Sequence, residues 1–227
     1  MSSHTYEIEI KALLGDKKSA DDFVNRLVVA DPKLQLKSES NQLNHYFLNG
    51  NFELLRSKIE DKIDSELVGK FDLIVTEGKN HSVRTRQKDD QIILVIKSSI
   101  DDTTSSNGTA RIEIEAEFQD LTLEDLDQIL LDCGFIYQAK WSRERQEYQF
   151  KNITVCLDHN AGFGYFAEFE VVASDSSEIE KIKTDLRNLM NDLNIEELDQ
   201  NRLTRMFEFY NQNWTEYYGT DKVFTIL

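Results

Sequence analysis

Apolar and polar residues alternate with period two in eight stretches of the chain. They are residues 6–13 (YEIEIKAL), 42–48 (QLNHYFL), 82–87 (SVRTRQ), 91–98 (QIILVIKS), 110–118 (ARIEIEAEF), 141–150 (WSRERQEYQF), 152–158 (NITVCLD) and 165–172 (YFAEFEVV). This period sends successive side chains to opposite faces and predicts half-buried strands. Asp89-Asp90 and Lys151-Asn152 predict tight turns between neighbouring strands, and Thr103 to Gly108 a polar loop. Elsewhere the apolar spacing is helical. Ser19 is expected to cap a helix running to about residue 29, with Asp22 as its capping-box partner, and Thr122 to cap LEDLDQILLDC with Asp125, ending at Gly134. Ile179, Ile182, Leu186, Leu189 and Leu193 form one face of a helix over 176–193, and a further helix is expected over about 199–213. Between residues 49 and 81 the pattern suggests a short helix around Phe52–Ile59 and an extra strand around Phe71–Val75. Strands in runs with helices between them predict an α+β fold with a largely antiparallel sheet.

The polar faces of these strands are ordered by charge. Glu7, Glu9 and Lys11 share a face opposite Ile8, Ile10 and Ala12. Arg84 pairs with Arg86, Arg143 with Arg145 and Glu168 with Glu170, while Arg111 leads Glu113, Glu115 and Glu117; Lys97 follows Ile93 and Val95. Two readings compete. In one, these are outer sheet faces whose opposite charges pair across strands, worth about 0.2–1 kcal/mol each. In the other, the apolar faces pack outward against helices and the charged faces line a shared cavity, as a barrel of about eight strands allows. Recurrence on strand after strand favours the second. Basic residues Lys11, Arg84, Arg86, Lys97, Arg111, Arg143 and Arg145 would then need an anion, and carboxylates Glu7, Glu9, Glu168 and Glu170 a cation. A polyphosphate carrying Mg2+ or Mn2+ satisfies both, because arginine forks match phosphate oxygens and hard cations take carboxylate oxygens.

Composition narrows the field. The 227 residues are 40% hydrophobic and carry a single proline, with no linker composition, so one domain over 1–227 is expected, with a helical extension from about 176. A net charge of −16 disfavours nucleic acid and anionic membranes as partners. The opening residues lack a signal-peptide pattern, no stretch has transmembrane length, and Cys133 and Cys156 read as buried thiols in a reducing compartment, so a cytoplasmic location is expected. His4, His45, His81 and His159 have no metal-ligand spacing and receive no role. The acidic helices read as solvated outer faces.

Glu7-Ile8-Glu9-Ile10-Lys11 is an ExExK motif that resembles the signature of the CYTH family, the triphosphate tunnel metalloenzymes. Further motifs follow in family order. Gln42–Tyr46 is similar to the second strand, Arg84-Thr85-Arg86 to an RxR strand, Lys97 to a strand-ending lysine, and Arg111-Ile112-Glu113 to an RxE strand. Arg143 and Arg145 precede Tyr148 as a K/R-x-R pair does, and Leu157-Asp158, Gly162-Phe163-Gly164 and Phe166 to Glu170 resemble the family's late L-D…G-x-F-x-E-x-E run. The resemblance covers roughly residues 5–172. It implies an eight-stranded antiparallel β-barrel, a triphosphate tunnel surrounded by helices. The basic residues would grip the phosphates. Glu7, Glu9, Glu168 and Glu170 would hold metal, and Asp158 would either join them or cap a turn. Glu9, Lys11 and Glu170 are the candidate catalytic residues. The implied activity is metal-dependent hydrolysis of inorganic triphosphate, a nucleoside triphosphate or thiamine triphosphate. The alternatives are a class IV adenylate cyclase making cyclic AMP and pyrophosphate, and a non-catalytic polyphosphate or nucleotide binder. A homodimer is compatible with the resemblance. Residues 49–81 and the tail from Trp214 to Leu227 fall outside its motifs.

Overall fold

Two-residue turns at Asp89-Asp90 and Lys151-Asn152 fold neighbouring strands back on each other, with Asp89 and Lys151 both at φ 52°. Asp89 is fastened from outside the turn, since its carboxylate accepts the Asn41 N–H at 2.9 Å; Asp31 does the same for the Lys151 N–H at 2.9 Å. The computed structural model describes residues 6–99, 111–173 and 175–226, so the loop expected over Thr103–Gly108 lies outside the described residues. In chain order the elements are β1 (Tyr6–Gly15), α1 (Lys17–Ala30), β2 (Gln35–Asn49), α2 (Phe52–Ile59), α3 (Ser65–Glu77), β3 (Lys79–Lys88), β4 (Gln91–Ser99), β5 (Arg111–Phe118), α4 (Leu123–Asp132), β6 (Phe135–Phe150), β7 (Ile153–Asn160), β8 (Gly164–Ala173), α5 (Ile179–Asp192) and α6 (Gln200–Asn213). The strands form one antiparallel sheet in the order β1-β8-β7-β6-β2-β3-β4-β5, which makes the fold α+β. No helix among the described residues is long and apolar enough to cross a membrane.

The chain clusters into two compact units, Met1–Ser40 with Ser142–Leu227, and Asn41–Trp141. In the first unit, Glu9 stands opposite Glu170 and Lys11 opposite Glu168, while Arg145 stands opposite Asp158. Alternation therefore gathers the charged residues on one sheet face. Ile8, Ile10, Val155, Leu157, Ala167 and Phe169 take the other, where they bury against Phe23 and Leu27 of α1 and Leu186 and Met190 of α5. Each such large side chain contributes about 1.5–3 kcal/mol when fully buried. The tail returns to this unit. Gly162, at φ 84°, donates its N–H to Lys222 O at 2.9 Å and accepts from Phe224 N–H at 2.8 Å, so the Phe224 ring packs on Phe163.

The second unit repeats the plan. Asn44 stands opposite Arg86, His45 opposite Thr85 and Tyr46 opposite Arg84, and β4 and β5 continue the sheet with Lys97 opposite Glu113. The apolar face (Phe47, Val83, Leu94, Ile96, Ile114 and Ala116) packs on Leu55 of α2, Phe71 and Ile74 of α3, and Leu126 and Leu130 of α4.

Four expectations need correction. The extra strand around Phe71–Val75 is part of α3: Leu67, Phe71, Ile74 and Val75 fall at helical intervals, and their face covers the second core. Asp16, not Ser19, caps α1, because its side chain accepts the Ser19 N–H at 2.8 Å. Strands β2 and β6 begin at Gln35 and Phe135 rather than near residues 42 and 141. The other elements match the sequence, including the reciprocal capping box of Thr122 and Asp125.

Phe169 is fully buried and meets Phe23 edge-on at 5.9 Å, so Phe169→Ala is expected to cost about 3–5 kcal/mol. Val172 on the same strand is 67% exposed, and Val172→Ala should change stability by no more than about 0.5 kcal/mol. Urea unfolding midpoints of the two variants check this.

Candidate functional site

The charged face of the first unit is a linked set of ion pairs. Asp158 is fully buried, and Arg145 holds it by a fork: Nε donates to Oδ1 and Nη2 to Oδ2, each at 2.7 Å. Arg143 Nη1 adds a third bond to Oδ2 at 3.0 Å. Arg145 Nη2 also donates to Glu168 Oε2, and Arg145 Nη1 lies 3.9 Å from Glu170 Oε1. On the adjoining strand Lys11 Nζ donates to Glu168 Oε1 at 2.5 Å and pairs with Glu9. Burial alone would raise the Glu168 carboxyl above its ordinary value. The charges of Lys11, Arg145 and Arg143 outweigh it and hold Glu168 well below the usual carboxylate range. Burial likewise opposes the charge on Arg145, and Asp158 and Glu168 more than restore it.

The second unit carries a looser set. Arg84 Nη1 donates to the Tyr46 hydroxyl at 2.8 Å, and Arg86 Nε to Asn44 Oδ1 at 3.0 Å. Arg86 also reaches Glu115 at 3.4 Å, and Lys97 pairs with Glu113 at 3.0 Å. Among the described residues, the buried Arg84 Nε has no hydrogen-bond partner. A buried donor left unsatisfied costs about 1–3 kcal/mol, so this arginine is set to gain from an anion. Behind the same strands, Asp127 of α4 is buried among His45, Thr85 and Tyr137.

A model of the CYTH domain matches residues 75–203, more than half of the chain. The chain belongs to the CYTH family. No match is found among curated protein sequences. Among solved structures, the chain is similar in fold to a Pyrococcus horikoshii OT3 protein at 19% identity and a TM-score of 0.56, over 84% of this chain and 91% of that one. It is similar to a conserved hypothetical protein of Pyrococcus furiosus at 20% identity and a TM-score of 0.55, over 85% and 91%. It also resembles a Vibrio parahaemolyticus protein named as a candidate adenylate cyclase, at 15% identity and a TM-score of 0.57, over 89% and 98%.

The matched CYTH segment starts after the ExExK strand, yet the register brings that strand to the late motif: Glu9 and Lys11 stand across from Glu170 and Glu168. The residues singled out from the sequence thus divide between the units. Glu9, Lys11, Arg143, Arg145, Asp158, Glu168 and Glu170 gather in the first, and Arg84, Arg86 and Lys97 in the second. The side chains of Glu7 and Arg111 lie outside the described ones. The sequence reading misses Asn44 as a partner of Arg86, and it misses the Asp127 cluster altogether. Asn44 is findable in principle, since it shares a strand face with Tyr46.

The donor set suits a hard divalent cation. Oxygens of Glu168 and Glu170 and the sulfur of Cys156 lie within 4.8 Å of one another. Burial pushes the Cys156 thiol up in the metal-free site, and a hard cation prefers the carboxylate oxygens to sulfur.

Because its native value is depressed, ionised Glu168 stabilises the fold above the unfolded carboxyl value of about 4.3. That stability is lost as pH falls from there toward about 2. Unfolding free energies measured by urea at stepped pH should fall more steeply across this window in the wild type than in Glu168→Gln. Parallel profiles would remove Glu168 from the account.

Proposed function

We propose that the chain is a metal-dependent triphosphatase that binds the triphosphate of a small molecule and cleaves a phosphoanhydride bond with water. The observation that carries this reading is the interleaving of Lys11, Arg143 and Arg145 with Glu9, Asp158, Glu168 and Glu170 on one sheet face. Without ligand the two signs neutralise each other. A polyphosphate bearing Mg2+ or Mn2+ exchanges the glutamate pairs, with phosphate oxygens taking the cations and the metal taking the glutamates, while Asp158 keeps Arg143 and Arg145. No buried charge is then left alone, so exchange avoids the several kcal/mol penalty of an unpaired ion.

In this reading Lys11, Arg84, Arg86, Lys97, Arg111, Arg143 and Arg145 bind phosphate. Arg84 Nε has an unused donor for it. Glu7, Glu9, Glu168 and Glu170 are the metal-binding acids. Asp158 is fully buried and held by three bonds from Arg143 and Arg145, so in this reading its part is to aim those two guanidinium groups. A cation bound there would polarise phosphate oxygens and lower the pKa of the attacking water. Lys11, Arg143 and Arg145, already fixed in place, stabilise the charge that spreads over the phosphoryl oxygens as the bond breaks, while Arg84 and Arg86 bind the phosphate chain. In this reading Glu9, paired with Lys11, and Glu170, opposite Glu9 in the ladder, accept the proton of the water. The closed eight-stranded tunnel implied by the resemblance belongs to this proposal too. So does a cytoplasmic setting, which suits two free, buried thiols.

The cyclase reading shares the phosphate chemistry, and the Vibrio parahaemolyticus neighbour keeps it in view. Products separate the two. With Mg2+ or Mn2+, the protein should release phosphate from inorganic triphosphate, ATP or thiamine triphosphate, and chelation should stop it. Glu168→Gln with Glu170→Gln should lower the rate by about 100-fold or more, the scale of a lost transition-state interaction. Cyclic AMP with pyrophosphate would establish the cyclase. No product from any of the three would end the triphosphatase reading.

A further inference from the structure

Among the described residues, the back of the second unit's sheet carries one buried charge set in the apolar core. Asp127 occupies the inner face of α4 with Leu123, Leu126 and Leu130, where a carboxylate is costly. It is fully partnered. His45 Nδ1 lies 2.6 Å from Oδ2, the Thr85 hydroxyl donates to Oδ1 at 2.5 Å, and the Tyr137 hydroxyl donates to Oδ2 at 2.7 Å. Lys140 Nζ stands 3.8 Å from Oδ2 and 4.3 Å from the centre of the Tyr137 ring. Burial would raise the Asp127 carboxyl, but bonds from His45, Thr85 and Tyr137 bring it below its ordinary value, so it is ionised and His45 Nδ1 donates to it.

The position of these partners is informative. His45 and Thr85 are opposite each other in the β2–β3 ladder, and the pairs on either side are Asn44 with Arg86 and Tyr46 with Arg84. Alternation sends those flanking side chains to the front face. There Asn44 holds Arg86 at 3.0 Å and Tyr46 holds Arg84 at 2.8 Å. One carboxylate therefore grips, from behind, the cross-strand pair between the two arginine pairs. A sheet register shifted by one residue would turn both arginines into the core.

We propose that Asp127, acting through His45 and Thr85, is a positioning residue for Arg84 and Arg86, fixing the strand pair that aims them at an anion. The functional part rests on the triphosphate reading above; the geometric part does not. A purely apolar residue could fill the site with less desolvation cost, which is why a role in aim is the better account of the carboxylate.

The test uses the full chain, with inorganic triphosphate and Mg2+ as the probe. Asp127→Asn and Thr85→Val are compared with Asp125→Ala, which weakens the start of the same helix through its capping box. The first two should raise KM by roughly 10-fold or more while kcat changes by less than about threefold, because misaimed arginines lose binding. Asp125→Ala should lower the thermal midpoint and leave KM alone. An unchanged KM in both Asp127→Asn and Thr85→Val overturns the proposal, as does an equal rise in Asp125→Ala. A second readout needs no turnover: the side-chain Nε resonances of Arg84 and Arg86 in the free protein. They should shift in Asp127→Asn and Thr85→Val and stay in place in Asp125→Ala; resonances unmoved in both overturn the positioning role. If the wild type neither binds nor hydrolyses triphosphate, the functional reading fails, and these resonances still decide the geometric one.

Discussion

A carboxylate removed from water must find its charge partners in the protein, and Asp158 finds two arginines. Its fork with Arg145 and third bond to Arg143 fix both guanidinium groups on one strand face. Glu168 then ties Arg145 to Lys11, which lies three strands along the sheet from Arg145. The rest of the first unit serves this arrangement. Apolar residues on the reverse of the same strands bury against α1 and α5, and that burial supplies the stability a set of desolvated charges does not. The set is stable only while its charges balance, and this makes it exchangeable. A ligand that brings both signs, phosphates with a divalent cation, can replace the glutamate pairs while Asp158 keeps its arginines, so no uncompensated charge is exposed.

The second unit solves a similar problem with more polar help. Arg84 leans on a tyrosine hydroxyl, Arg86 on an amide oxygen and the Glu115 carboxylate, and among the described residues the buried Arg84 Nε has no hydrogen-bond partner. Neutral partners hold an arginine in place without cancelling its charge. Arg84, held by the Tyr46 hydroxyl, therefore presents more net positive charge to an anion than Arg145 does. The cost is a weaker grip on geometry, which the Asp127 cluster behind the strands offsets. Most of the acidic surface lies elsewhere, and the net charge of −16 says little about either charged face.

Much of the sheet was legible because period-two alternation and charge order coincide. In YEIEIKAL the same spacing that marks a strand also delivers Glu9 and Lys11 to one face, and their register with Glu170 and Glu168 follows once β1 meets β8. Where alternation is weak, the sequence is ambiguous. The first part of β2 shows Leu36 half exposed, and the start of β6 exposes Ile136, so neither edge carries a clean pattern. Phe71 to Val75 is rich in β-forming residues, but the helix is set by tertiary burial of Phe71 and Ile74. Asp16 and Ser19 both suit a cap, and only the chain path decides between them. Asp127 was hidden for a different reason. Its partners lie at residues 45, 85 and 137, far off in sequence, and a charged residue in an acidic helix reads as solvated until its neighbours are known.

The central claim is that phosphate and metal replace the internal ion pairs of the first unit. Diffraction from crystals grown with Mn2+ and a hydrolysis-resistant imido analogue of triphosphate tests it most directly, because anomalous scattering locates the metal. The account predicts Mn2+ in direct coordination with Glu168 and Glu170, and Lys11, Arg143 and Arg145 turned onto phosphate oxygens. Mn2+ bound elsewhere, with the Lys11–Glu168 and Arg145–Glu168 pairs intact beside a bound analogue, would contradict it.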